Sequence, residues 1–290
     1  MVPVDYYSTG AVYLSMSFNG LSLAHGTGFF FLHRKRMFLV TARHNLSGTH
    51  WETGRNLNSQ GGRPNFLKAH SWIFAQRDDQ FLLGSGHHEF ALHGEDGAPV
   101  WMESNDTDVA VLDLERLSRN KSLFPNADDH QQFQEWFGCE RDFRDFSYSA
   151  TMQSDIKIPY VNDKVGPYVP VVGQDLFIVG YPLTFACAGE FPIWKRGSIA
   201  TEPHEDYKGM PLYLIDAVTR EGLSGSPVIG SFVNPSFDNG GKGILTLQGT
   251  ERAFAGLYTC RIGAVDDFSA QMGVVWKPSV ITQIIDENWI

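Results

Sequence analysis

Apolar residues fall into short runs rich in aromatic and β-branched side chains. They read AVYLSMSF (11–18), GTGFFFL (26–32), MFLVTA (37–42), SWIFAQ (71–76), DVAVLDL (108–114), DLFIVGYP (175–182), PLYLIDAV (211–218), SPVIGSF (226–232), AFAGLYTC (253–260) and QMGVVW (271–276). Gly, Asn, Asp and Pro separate them. Many short strands bounded by turn residues predict an all-β barrel or sandwich. Helical spacing is scarce. One helix is predicted over about 127–137, where Phe133, Trp136 and Phe137 share an edge. A second starts at Pro278, which suits a first helical turn, and Val280, Ile281, Ile284 and Ile285 repeat at helical spacing.

The strands form two groups, with a polar excursion over 47–65 inside the first. The expected division is an N-terminal barrel over 1–115, an insert or linker over 116–165, and a C-terminal barrel with its helix over 166–290. The insert carries Arg141-Asp-Phe-Arg-Asp-Phe, read as a solvated face, with a lid or docking element as the alternative. There is no internal repeat and no low-complexity tract.

Composition narrows the function. A chain of 290 residues buries a core without disulfide or metal staples. With 23 Lys and Arg against 33 Asp and Glu, the net charge is −10, which argues against nucleic acid and anionic membranes as partners. No run approaches the length of a membrane-spanning helix. The start MVPVDYYSTG lacks a basic region and an apolar run, so no signal peptide is expected. Cys139, Cys187 and Cys260 are odd in number and far apart, which fits reduced thiols in the cytoplasm better than a disulfide framework or a zinc knuckle.

Three segments carry candidate chemistry. Phe38-Leu-Val-Thr-Ala-Arg-His44-Asn places a histidine just past a strand. Asp108-Val-Ala-Val-Leu-Asp-Leu opens an apolar strand with an acid, and Asp106 is the alternative acid. Gly222-Leu-Ser224-Gly-Ser-Pro227 places a serine between glycines. Each alone reads equally well as a strand end, a turn or a loop. Together they supply a nucleophile, a base to take its proton, and an acid to fix the base's tautomer. Ser224 is then the nucleophile, His44 the general base, and Asp108 the orienting carboxylate. Backbone amides of Gly222 and Ser224 would form the oxyanion hole, since Gly222 can turn its amide inward. Rival orders fail. No histidine follows Ser224, which an α/β-hydrolase requires, and only Asp5 precedes His44, where subtilisin order needs an acid.

In this order the three motifs resemble the chymotrypsin-like, trypsin-type serine peptidases, above all their HtrA-like branch. Gly26-Thr-Gly-Phe-Phe resembles the strand ahead of the family's histidine. Val172-Gly-Gln-Asp-Leu-Phe-Ile-Val-Gly180-Tyr-Pro182 resembles the opening of its second barrel, Trp194-Lys-Arg-Gly197-Ser-Ile the next strand, Phe254-Ala-Gly-Leu-Tyr-Thr259 the strand after the serine, and Met272-Gly-Val-Val-Trp with Pro278 the final strand and helix. Residues 48–100 and 115–165 match no part of the family. The resemblance implies two antiparallel six-stranded β-barrels, a C-terminal helix and a helical or irregular insert. It implies a serine endopeptidase that needs no cofactor and no metal and acts on protein or peptide substrates, with control expected from a regulatory protein partner, a conformational change or substrate supply. It places Val218, Thr219, Arg220 and Glu221 on one wall of the specificity pocket and Thr259, Cys260 and Arg261 on the other. Val218 stands where trypsin's pocket acid would be, so Lys or Arg preference is not expected. Leu223 replaces the acid that pairs with a newly cut N-terminus in secreted members, so no activation by that cleavage is expected. With the terminal helix so near residue 290, no PDZ domain is expected after it. The competing classes are an inactive protease-like binding module and an esterase on the same scaffold.

Two other clusters are set aside. His87, His88, Glu89 and His93 lack metal-site spacing and read as a loop. His33-Arg-Lys-Arg36 lies between two apolar strands and reads as a hairpin tip.

Overall fold

The computed structural model describes residues 4–77, 80–138, 156–162, 170–184, 191–233, 236–238, 244–246, 250–262 and 272–289. The first half contains strands β1 (Ala11–Phe18), β2 (Leu21–His33), β3 (Arg36–Ala42), β4 (Phe66–Arg77), β5 (Gln80–Ala91), β6 (Met102–Glu103), β7 (Val109–Asp113) and β8 (Ile156–Lys157). The second contains β9 (Asp175–Gly180), β10 (Ile193–Ile199), β11 (Leu212–Asp216), β12 (Ser226–Val233), β13 (Ser236–Asp238), β14 (Ile244–Thr246), β15 (Thr250–Ile262) and β16 (Met272–Trp276). The helices are α1 (Tyr6–Gly10), α2 (Arg43–Ser47), α3 (Leu114–Ser118), α4 (Ala127–Phe137) and α5 (Pro278–Glu287). The fold is thus mostly antiparallel β. Helices α4 and α5 fall where their apolar edges predict them.

The expected pair of six-stranded barrels is half correct. The second half closes in the order β10-β11-β16-β15-β12-β9. The first half is an open eight-stranded sheet in the order β5-β4-β1-β2-β3-β7-β6, with β8 added on β4. The reason lies in the β4–β5 hairpin, paired from Phe66↔Ala91 to Arg77↔Gln80, which carries the sheet outward. Helix α4 covers this end instead of a closing strand pair. A Cβ on Gly86 of β5 would lie 2.6 Å from the Trp136 ring, so only glycine there admits the helix.

The triple phenylalanine of β2 shows how the sheet is buried on both faces. Side chains alternate along a strand. Phe29 and Phe31 share a core with Phe38, Val40, Val109 and Val111 of the same sheet, with Leu257 and Trp276 of the barrel, and with Ile281 and Ile284 of α5. Phe30 faces the other way, with Leu39, Leu112, Phe133 and Trp136. This is why the run is continuous and not alternating. The two halves and α5 therefore share one hydrophobic interface, and the barrel keeps a separate interior around Leu176, Ile178, Tyr213, Leu223 and Val275.

The basic cluster 33–36 is a hairpin tip, with Arg34 (φ 46°) and Lys35 (φ 68°) both left-handed, the backbone of a type I′ turn. Its His33 and Arg34 meet Asp286, and Arg36 lies over the Trp289 ring, so it docks against α5. Among the described residues, no helix is long and apolar enough to cross a membrane. The Arg-Asp-Phe repeat, Cys139 and Cys187 lie outside the described residues.

Candidate active site

Strand β3 ends at Ala42 and the chain turns at once into the single turn of α2, which carries His44. Asp108 directly precedes β7, the neighbour of β3, whose first pair is Ala42↔Val109. Sheet pairing therefore brings the two residues together. The carboxylate is fully buried. One oxygen accepts the His44 backbone N–H at 3.0 Å and the other meets His44 Nδ1 at 2.8 Å. The imidazole is thus held with Nε2 turned away from Asp108. Asp106 is exposed and makes no such contact.

Ser224 stands between two left-handed glycines, Gly222 (φ 91°) and Gly225 (φ 89°). A side chain on Gly222 would strike the Tyr181 carbonyl, and one on Gly225 the Thr27 carbonyl, so the loop needs glycine at both. Every carbonyl from 221 to 224 is engaged. Glu221 O accepts from Leu183 N at 2.8 Å, and Leu223 O from Ser226 N at 3.0 Å. Gly222 O accepts from the Thr27 hydroxyl at 2.7 Å. Ser224 O accepts from Thr27 N at 3.0 Å and Asn45 Nδ2 at 2.9 Å. A trans peptide sets its N–H opposite its C=O. Fixing these carbonyls therefore aims the amides of Gly222 and Ser224 the other way, and neither donates to a protein acceptor among the described residues. Two unused amides beside a serine are suited to a developing oxyanion.

The Ser224 hydroxyl donates to the Thr259 carbonyl at 2.6 Å. It lines one cavity of ≈ 270 Å³ together with His44, Asp108, Cys260 and Arg261. Burial, then the nearby Asp108 charge, push the Cys260 thiol up to about 11, so it stays protonated and is no thiolate nucleophile at neutral pH. Residues 218–221 do not line that cavity. Val218 is 59% exposed, and Arg220 and Glu221 are exposed. Thr219 is fully buried, its hydroxyl 2.6 Å from that of Tyr258. Burial also raises the Tyr258 phenol above its ordinary pKa. Leu223 turns into the barrel interior and is 1% exposed, an apolar anchor where an acid would be costly.

Thr27, Asn45 and Trp51 are site residues that the sequence reading passed over. Thr27 N, O and Oγ1 all bond to parts of the site, and Tyr181 N also donates to its hydroxyl at 3.2 Å. The only signal for it was a threonine between two glycines near a candidate histidine. His88 does not line a loop site. It lies on β5, 2% exposed, against Phe133, Trp136 and Phe137. Among the described residues, no three His, Cys, Asp or Glu side chains are grouped to hold a metal ion.

No protein-family model matches the chain, and no curated protein matches it. Among solved structures it is similar to the serine endoprotease from Yersinia pestis, at 12% identity and a TM-score of 0.48, over 99% of this chain and 67% of that one. It is also similar to the inactive form of the Rv3671c protease of M. tuberculosis, at 15% identity and a TM-score of 0.44, over 98% of this chain and 91% of that one.

Proposed function

We propose that the chain is a serine endopeptidase working through an acyl-enzyme, with Ser224 as nucleophile, His44 as base and then acid, and Asp108 as orienting group. The observation that carries this reading is the 2.8 Å contact between His44 Nδ1 and a fully buried Asp108, across one cavity from Ser224. A carboxylate on Nδ1 leaves Nε2 as the base and stabilises the imidazolium formed when it takes the serine proton. The amides of Gly222 and Ser224 receive the oxyanion. His44 then gives its proton to the leaving amine, and water repeats the cycle to release the acid. No cofactor enters these steps.

A second reading, an inactive protease-like binding module, draws on the Ser224 hydroxyl, whose proton goes to Thr259 and not to His44. We favour activity, because free enzymes commonly align such bonds only with substrate in place. The same bond supports regulated activity, since a rotation of one side chain separates the resting from the reactive arrangement. The free Cys260 suits a reducing, cytoplasmic compartment. Labelling by a fluorophosphonate probe, wild type against Ser224→Ala, tests the proposal. Labelling that requires Ser224 is expected. Labelling that survives the substitution removes Ser224 as nucleophile, and no labelling of the wild type, with or without peptide, leaves the binding module.

A further inference from the structure

His44 lines two cavities. One is the ≈ 270 Å³ space that also takes in Ser224. The other, ≈ 360 Å³, is lined by Ala24, Asn45 and Asn58 among others. Trp51, Leu57, Tyr207, Met210 and Ile262 line the first. Trp51 belongs to the polar excursion that matches no part of the resembled family, yet it is firmly set. Its ring meets Trp276 edge-on at 5.5 Å, and Trp276 is fully buried. Its carbonyl accepts from the Arg43 guanidinium at 3.5 Å, which also holds the Ser104 and Asn105 carbonyls.

We propose that this cavity is the principal specificity pocket of the site, and that it takes a large apolar side chain, leucine or phenylalanine in class, from the second residue before the scissile bond. The proposal rests on the peptidase reading above. A peptide extended along Thr259–Arg261 alternates its side chains between two faces. If the residue bearing the attacked carbonyl turns toward 218–221, the residue before it turns toward His44, Trp51 and Met210. The walls there are aromatic and aliphatic. The formal charges lining it, Glu52 and Asp108 against Lys208 and Arg261, cancel and so do not favour a charged side chain of either sign. The Cys260 thiol is protonated and adds a further apolar surface. Trp51 is anchored before any ligand arrives, so filling the pocket costs little ordering.

The test measures binding and chemistry separately. Affinities are taken for the Ser224→Ala protein with N-acyl peptides that differ only at this position, as Gly, Asp, Lys, Leu or Phe. Leu and Phe peptides are expected to bind roughly 10- to 100-fold more tightly than the Gly peptide. Adding Trp51→Ala or Met210→Ala is expected to shrink that ratio several-fold. Because each variant is compared with itself, a general loss of affinity does not imitate the result. Equal affinities across the series overturn the pocket, as does a preference that survives both substitutions. Fluorophosphonate labelling of the wild type is read independently. Its failure removes the peptidase chemistry and leaves the affinity series to decide the pocket.

Discussion

The Ser224 hydroxyl donates its single proton to the Thr259 carbonyl, 2.6 Å away, so that proton is not offered to His44. Thr259 lies in β15, and its carbonyl is the acceptor that a peptide main chain beside Thr259–Arg261 would claim with an N–H. A substrate that brings this N–H would free the hydroxyl to turn toward His44. The expected outcome is that methylating the amide nitrogen of the residue whose carbonyl is attacked lowers kcat/KM roughly tenfold, the worth of one hydrogen bond at the upper end of its usual range. Matched peptide esters with and without that methyl group are the measurement. Equal rates would show that the Thr259 carbonyl takes no part.

Asp108→Asn keeps the shape of the side chain but offers His44 Nδ1 the wrong partner tautomer. The loss expected in kcat is about 10⁴-fold, with little change in KM. The buried amide must also satisfy the His44 backbone N–H, which its carbonyl oxygen still does, so melting should shift little. A loss below tenfold would mean that Asp108 does not orient the base.

Thr27 reaches across from the first sheet and ties down the carbonyls on both sides of Leu223. Removing its hydroxyl leaves the Gly222 carbonyl free to rotate and the adjacent amides less well aimed. Thr27→Val is expected to lower kcat about tenfold or more with a small change in KM, since a misplaced oxyanion donor acts on the transition state. Thr27→Ser restores the hydroxyl and should recover most of the rate. A merely structural role predicts that for Val the melting temperature falls and KM rises without selective loss of kcat.

The legible parts of the molecule are those written in local pattern. Phe133, Trp136 and Phe137 show one helix edge, and Ile281, Ile284 and Ile285 another, because each face meets a core directly. His44, Asp108 and Ser224 stand out because the proposed chemistry would call for those residue types, and they sit in glycine-marked or strand-end settings. Closure of the first sheet was not legible. It depends on how far the β4–β5 hairpin runs and on α4 covering its end, and neither alters the alternation of any strand. Thr27 was hidden for a similar reason. Its hydroxyl serves a carbonyl 195 residues away, and nothing local distinguishes such a threonine from a turn residue. Trp51 sits in a polar excursion and takes its role only from the tertiary contact with Trp276.

His88 makes stability depend on acid. Its ring is 2% exposed, lies 4.4 Å from Trp136, and has no hydrogen-bond partner for either nitrogen among the described residues. Burial, and secondarily the neighbouring His87, lower its pKa from 6.5 to about 3. The folded chain therefore holds a neutral ring over a range where the unfolded chain binds a proton. Its stabilising effect is complete above about pH 6.5 and is lost as pH falls from 6.5 toward 3, at about 1.4 kcal/mol per pH unit. Between pH 7 and 4.5 this amounts to about 2–3 kcal/mol. His88→Leu keeps an apolar group of similar reach against α4 and removes the titration, so its stability should fall less steeply over that interval. Denaturant unfolding of both proteins at the two pH values measures the difference, and His87→Gln serves as the control for the adjacent charge. Parallel losses in wild type and His88→Leu would place the acid sensitivity elsewhere.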